Sequence, residues 1–180
     1  MISLRISGVR TDIHFTFLLF NAMLFLLREN QTILCFYGGC ILHELGHIFA
    51  AAAAGISVQK VSLTGTGIIM TAEKNSSVPM KYSLMVLLSG PAVNLFCAGI
   101  INLVGGSDSF AAVNFALCVY NLLPFSFLDG GTVLETLVAG RTHEYVLRRG
   151  IAVLKFAAVG AMIILLLYEL RVKMGHCWCL

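Results

Sequence analysis

Apolar and polar positions alternate over residues 1–7, with Ile2, Leu4 and Ile6 on one side and Ser3, Arg5 and Ser7 on the other. A period of two marks a strand. From residue 13 the pattern changes to continuous apolar runs at 13–27, 33–54, 83–104, 109–128 and 151–170. Runs of this kind predict helices, most of them near the ~20 residues that cross a bilayer. The first is somewhat short and ends in Leu26-Leu27-Arg28 with no small-residue cleavage site, which predicts a retained helix rather than a removed signal. Residues 58–72 differ: they are β-branched, alternate at Val61 and Leu63 and again at Ile68 and Met70, and carry Gly65-Thr66-Gly67 between. That pattern predicts a β-hairpin lying on or dipping into the membrane. Gly90-Pro91 is expected to break the third run. Asn121 and Pro124 interrupt the fourth, which Asp129-Gly130-Gly131 closes. A short amphipathic stretch and a polar, basic segment at 141–150 lead to the fifth run.

The expected fold class is therefore mainly α: a polytopic membrane helical bundle of about five to six transmembrane segments, with a small membrane-associated β-hairpin or sheet. Residues 1–180 read as a single domain, with a core at 1–135, a cytosolic loop at 136–150 and a C-terminal helix and tail at 151–180.

Composition supports lipid as the solvent. Hydrophobic residues make up 58% of the 180 positions and charged residues only 12%, and the mean hydropathy is +0.89. A soluble domain needs far more charge to cover its surface. The net charge of +3 is spread between the apolar runs rather than clustered, so nucleic acid is not an expected partner. Its distribution instead orients the chain. Arg5, Arg10, Lys60, Lys74, Lys81, Arg141, Arg148 and Arg149 share one side of a five-span layout, and Arg28, Arg171 and Lys173 the other. The positive-inside rule then places the N-terminus in the cytosol, in what is read as a bacterial cytoplasmic membrane. Of six cysteines, Cys35, Cys40, Cys97 and Cys118 lie in apolar runs and behave as small hydrophobes. The ending Cys177-Trp178-Cys179-Leu180 has only the bare form of a prenylation box, and His176, Cys177 and Cys179 read as a loose tail rather than a metal site.

The chemistry lies in the second run, at His43-Glu44-Leu45-Gly46-His47. Two histidines four apart share one helix face, where they can hold one zinc ion. Glu44 is placed to take a proton from water at that metal. Such a pattern is common by chance, but here three ionisable groups sit in an apolar run, where each costs roughly 2.5 kcal/mol or more if it has no use. A catalytic zinc needs a third protein ligand. Asp12, Asp108 and Asp129 are candidates. Runs two and four travel the same way, and at ~1.5 Å per residue His47 lies near the inner end, where Asp129 also falls. Asp108 would lie on the opposite side. Asn94, after the expected break at Gly90-Pro91, can donate to a tetrahedral oxyanion or make an interhelical hydrogen bond; Asn121 has the same two readings. His14 reads as interfacial, and Lys155 as a side chain that snorkels or pairs.

With these residues in view, the chain resembles the site-2 protease family of intramembrane zinc metalloproteases. Its likeness is to compact, sporulation-type members, without a PDZ or CBS domain. Three ordered motifs carry it: His43-Glu44-Leu45-Gly46-His47, Gly90-Pro91 with Asn94, and Asn121, Pro124 and Asp129-Gly130. The resemblance implies one Zn2+ per chain held by His43, His47 and Asp129, with Glu44 as general base and Asn94 assisting catalysis. It implies that Asn121 and Pro124 contact substrate. The hairpin, with Gly65 and Gly67 at its turn, is expected to grip an extended peptide by strand addition. The expected reaction is hydrolysis of peptide bonds in transmembrane or membrane-tethered proteins, in regulated intramembrane proteolysis or sporulation signalling. The expected partners are a membrane-embedded protein substrate and the lipid bilayer. The alternative is a non-catalytic metal-binding membrane protein, either transporter-like or a pseudoprotease scaffold. Against a carrier stands the lack of any visible inverted repeat.

Overall fold

A computed structural model describes residues 2–6, 9–27, 30–56, 58–64, 67–72 and 78–177. The chain divides into two compact units, residues 1–122 and 123–180.

The first unit holds a sheet and four helices. Strands β1 (Ile2–Ile6), β2 (Val9–Ile13), β3 (Val58–Thr64) and β4 (Gly67–Ala72) form one sheet in the order β1-β2-β3-β4. The outer pairs are antiparallel, and β2 runs parallel to β3 with Asp12 opposite Ser62. A parallel pair needs a long crossover, which α1 (Phe15–Leu27) and α2 (Asn30–Ala53) provide. The expected strand and hairpin are both present, but they do not pair directly. β2, whose Arg10 and Asp12 obscure its alternation, lies between them.

Helices α3 (Met80–Leu103) and α4 (Asp108–Asn121) pack on α2 and on each other. The expected break at Gly90-Pro91 is a correction: α3 runs through Pro91 without interruption. Proline inside a helix removes one hydrogen bond without ending the helix when neighbouring helices hold it. α4 starts at a Ser107 cap, whose side chain accepts from the Phe110 amide; Asp108 follows in the first turn, where a carboxylate suits the helix dipole.

In this unit polarity is inverted relative to a water-soluble protein. Asp12, His43, His47, Ser62, Asn94 and Asn114 are buried, while Phe49 and Phe96 are 69% and 68% exposed. In water each such phenylalanine would forgo about 1.5–3 kcal/mol of burial, a cost that lipid removes. Among the described residues, Gln31–Ala53 and Met80–Leu103 are the helices long and apolar enough to cross a membrane, at 23 and 24 residues, and Phe15–Leu26 is a shorter apolar helix.

The second unit holds α5 (Asp129–Val138) and α6 (Glu144–Cys177). Asp129 therefore opens a helix rather than closing one. The stretch 136–150, expected as a loop, is helical up to Val138 and again from Glu144, so Arg148, Arg149 and Gly150 lie on α6. Glu144 starts that helix well: it accepts from the Gly140 amide at 3.0 Å and pairs with Arg148 at 2.8 Å. These donors hold its carboxyl below the usual carboxylate range, Arg148 contributing most. α6 also continues through His176 and Cys177, which were expected to lie in a loose tail; Cys179 falls outside the described residues.

Candidate metal centre

The two histidines lie one turn apart on α2 and are both buried. Their Nε2 atoms are 3.1 Å apart. Two ligands of a tetrahedral zinc at 2.0–2.1 Å would stand about 3.3 Å apart, so the pair already has nearly the spacing that one ion requires. The His47 Nδ1 atom lies 2.7 Å from the carbonyl oxygen of Val86 on α3. A carbonyl can only accept, so Nδ1 carries the proton and Nε2 keeps its lone pair for a metal.

Gly90 makes the space for this pair. A Cβ at Gly90 would overlap the His47 Nε2 atom and lie 2.8 Å from the His43 Cε1 atom. The sequence signalled this glycine as a helix break; its observed use is to let α3 approach α2 until the imidazoles fit between them. Gly46 works from the other side, where a Cβ would come 2.8 Å from the Ser89 carbonyl oxygen. Small residues at such crossings are how apolar helices pack closely. Glu44, between the two histidines in sequence, is half-buried. The donor chemistry and the glycine cradle both fit a zinc ion.

The three candidate aspartates have different surroundings. Asp12 is fully buried in the sheet, bonded to Lys60 at 2.8 Å and Arg10 at 3.1 Å. Lys60, then Ser3 and Arg10, hold its carboxyl well below the usual carboxylate range despite burial. Asp108 is exposed at the start of α4. Two residues on, the Phe110 ring meets the Cβ position of Gly38, more than a turn before His43 on α2. Asp129 opens α5 in the second unit and is half-buried. Its helix can begin there because Leu128 is extended and because Gly131 passes so close to the Phe125 carbonyl that any Cβ would collide with it.

Asn94 has no exposed surface, and its amide donates to the Gly39 carbonyl at 3.4 Å. That is the interhelical bond weighed against the oxyanion role. Asn121, the last residue of α4, donates to the Leu117 carbonyl of its own helix at 3.0 Å. Pro124 is buried in the bend after α4. Gly67 starts β4, paired with Thr64, and Gly65 lies outside the described residues. Asn114 was missed altogether. It is as buried as Asn94, donates to the Phe110 carbonyl at 2.9 Å and lies against Gly39. A second asparagine in the same apolar run, two helical turns before Asn121 and on the same face, was the available signal.

Comparison with known proteins agrees with this picture. No family model matches the chain. A Synechocystis relative that carries a zinc metalloprotease name is 33% identical over 118 residues, which are 59% of this chain and 31% of that one. A zinc metalloprotease of Methanocaldococcus jannaschii is 26% identical over 200 aligned positions, covering 95% of this chain and 58% of the relative. Stage IV sporulation protein FB of Bacillus subtilis is 28% identical over 120 residues, 62% of this chain and 42% of its own length. The chain thus spans from about a third to under three fifths of these relatives. In structure it matches the site-2 protease from Methanocaldococcus jannaschii with a TM-score of 0.67 at 22% identity, over 96% of this chain and 87% of that one. The chain is thus similar in sequence to proteins named zinc metalloproteases and similar in fold to a site-2 protease.

Proposed function

We propose that this chain is an intramembrane zinc metalloprotease that hydrolyses peptide bonds in transmembrane or membrane-tethered proteins. The observation that carries the reading is the buried pair of imidazoles, with Nε2 atoms 3.1 Å apart and the His47 tautomer set by the Val86 carbonyl. His43, His47 and Asp129 supply two imidazoles and a carboxylate, a donor set able to hold one metal ion. When bound, zinc supplies the Lewis acidity that acidifies water and polarises a scissile carbonyl. Glu44 takes the water's proton and later delivers it to the leaving amine. Its place between the histidines in sequence supports that role. Asn94, fixed on Gly39, holds α3 against the metal-bearing helix, and Asn121 and Pro124 shape the end of α4 beside which substrate enters.

A peptide must be extended to be cut, because a helical carbonyl is occupied by its own hydrogen bond. The free edge of the sheet supports strand addition as the grip: β4 pairs with β3 alone among the described strands. In this reading residues 1–180 form one metalloprotease domain of five or six spans. Its N-terminus is cytosolic in a bacterial cytoplasmic membrane, and its substrate is a regulator released by cleavage, as in sporulation signalling. The sporulation name of one relative and the distribution of basic residues support this setting.

The test is cleavage of a membrane-tethered reporter by purified protein with its zinc content measured. Activity that a chelator removes and zinc restores supports the reading. Metal-free protein that cleaves as well as loaded protein overturns it.

A further inference from the structure

Lys155 lies within the apolar stretch 151–170, where a charge is costly without a partner. In the second unit it has two. Its Nζ donates to the Ser126 Oγ at 2.8 Å and lies 3.6 Å from the Glu135 Oε1. The Ser126 hydroxyl in turn donates to the same Glu135 oxygen at 2.6 Å. A hydroxyl has one proton to give and lone pairs to receive, and here both are used: it receives from the ammonium on α6 and gives to the carboxylate on α5.

What the three residues hold is the turn ahead of Asp129. Ser126 is three positions before it. The Thr132 hydroxyl reaches the Leu128 carbonyl at 3.1 Å and the Ser126 carbonyl at 3.4 Å. Gly131 lets the Phe125 carbonyl lie directly on the start of α5. The turn is thus fastened to α5 through its backbone and to α6 through Lys155.

We propose that Lys155, Ser126 and Glu135 form a clip that sets the position of Asp129 and thereby the affinity of the metal centre. Lys155 and Glu135 are positioning residues in this account, which rests on the ligand role of Asp129 proposed above. Loss of groups that orient a metal ligand typically costs 10- to 100-fold in affinity.

The experiment is zinc affinity, by competition with a chromogenic chelator, on purified Lys155→Met, Glu135→Gln, Ser126→Ala, the exchanged pair Lys155→Glu with Glu135→Lys, and Asp129→Asn. The clip predicts that Lys155→Met and Glu135→Gln each weaken zinc by about tenfold or more, that Ser126→Ala weakens it in the same direction, and that the exchanged pair recovers most of the loss. If Asp129→Asn weakens zinc while the three clip variants bind as wild type, the clip is overturned and the ligand role stands. If Asp129→Asn binds zinc as wild type, the ligand role falls and the clip with it. Where Lys155→Met does not fold, Ser126→Ala, which changes no charge, decides alone. An exchanged pair as weak as the single variants also overturns the proposal.

Discussion

The His47 Nδ1 atom and the Val86 carbonyl oxygen lie 2.7 Å apart, joining the metal-bearing helix α2 to α3. This bond fixes the tautomer and the ring plane of His47, so its Nε2 atom meets that of His43 without reorganisation. Preorganisation of this kind is what keeps a metal site rigid. It also makes α3 part of the site, although no side chain of α3 is proposed as a ligand.

The space for the pair is a property of Gly90. Gly90→Ala places a methyl group on the His47 Nε2 atom. We expect zinc content to fall well below that of wild type and cleavage to fall with it, while Gly99→Ala, on the same helix with open space at its Cβ, keeps both. Elemental analysis of the purified variants checks this.

Asp12 predicts an acid limit to stability. Its folded pKa lies below the ordinary value of 3.8 because Lys60, Ser3 and Arg10 favour the anion. A group depressed on folding contributes its stability above the unfolded value, and the contribution is lost as pH falls toward the folded value. The midpoint of thermal unfolding in detergent should therefore be nearly flat in this respect above about pH 4 and drop below it. Asp12→Asn should be less stable than wild type at neutral pH and lose less on acidification, because the unpaired Lys60 and Arg10 no longer depend on that carboxylate. Equal midpoints for the two proteins at pH 7 would remove the ion pair from the account.

The sheet edge gives a third expectation. β3 is paired on both sides and β4 on one. Single prolines over Gly67–Ala72 should reduce cleavage in variants that remain folded and zinc-loaded, since proline cannot donate to an added strand. Prolines over Val61 to Thr64 should lower expression and stability instead, because they remove bonds inside the sheet. Full turnover in every zinc-loaded β4 variant would make the hairpin a connector.

Topology can be checked by cysteine labelling at Ser107 and Thr142 in a background without native cysteines. The positions of the basic residues predict labelling from opposite faces, with Thr142 accessible from the cytosol. Labelling of both from one face would overturn the five-span arrangement.

How much of this was legible in the sequence follows from the range of each signal. The strand at Ile2–Ile6 and the hairpin have local periodicity, the helix of the two histidines is a continuous apolar run, and all three are where these patterns place them. β2 was missed because its five residues include Arg10 and Asp12, whose reason is a long-range pairing with Lys60. Gly90-Pro91 reads as a break in sequence because the local rule for proline carries no information about the helix packed against it. The loop at 136–150 was drawn from polarity. Its charges are satisfied within helix geometry instead, Glu144 with Arg148 four residues on. Likewise Lys155 could be foreseen to pair, but its partners, Ser126 and Glu135, are fixed only by the fold.

The most direct test of the central claim compares wild type with Glu44→Gln, purified in parallel and loaded with zinc. Glutamine keeps the size of the side chain and removes its basicity. The account predicts about one zinc per chain in both, and loss of reporter cleavage in Glu44→Gln by at least 10²-fold, the scale expected when a general base is removed. Cleavage by the zinc-loaded variant at the wild-type rate would contradict the claim that this chain is a metalloprotease acting through His43, Glu44 and His47.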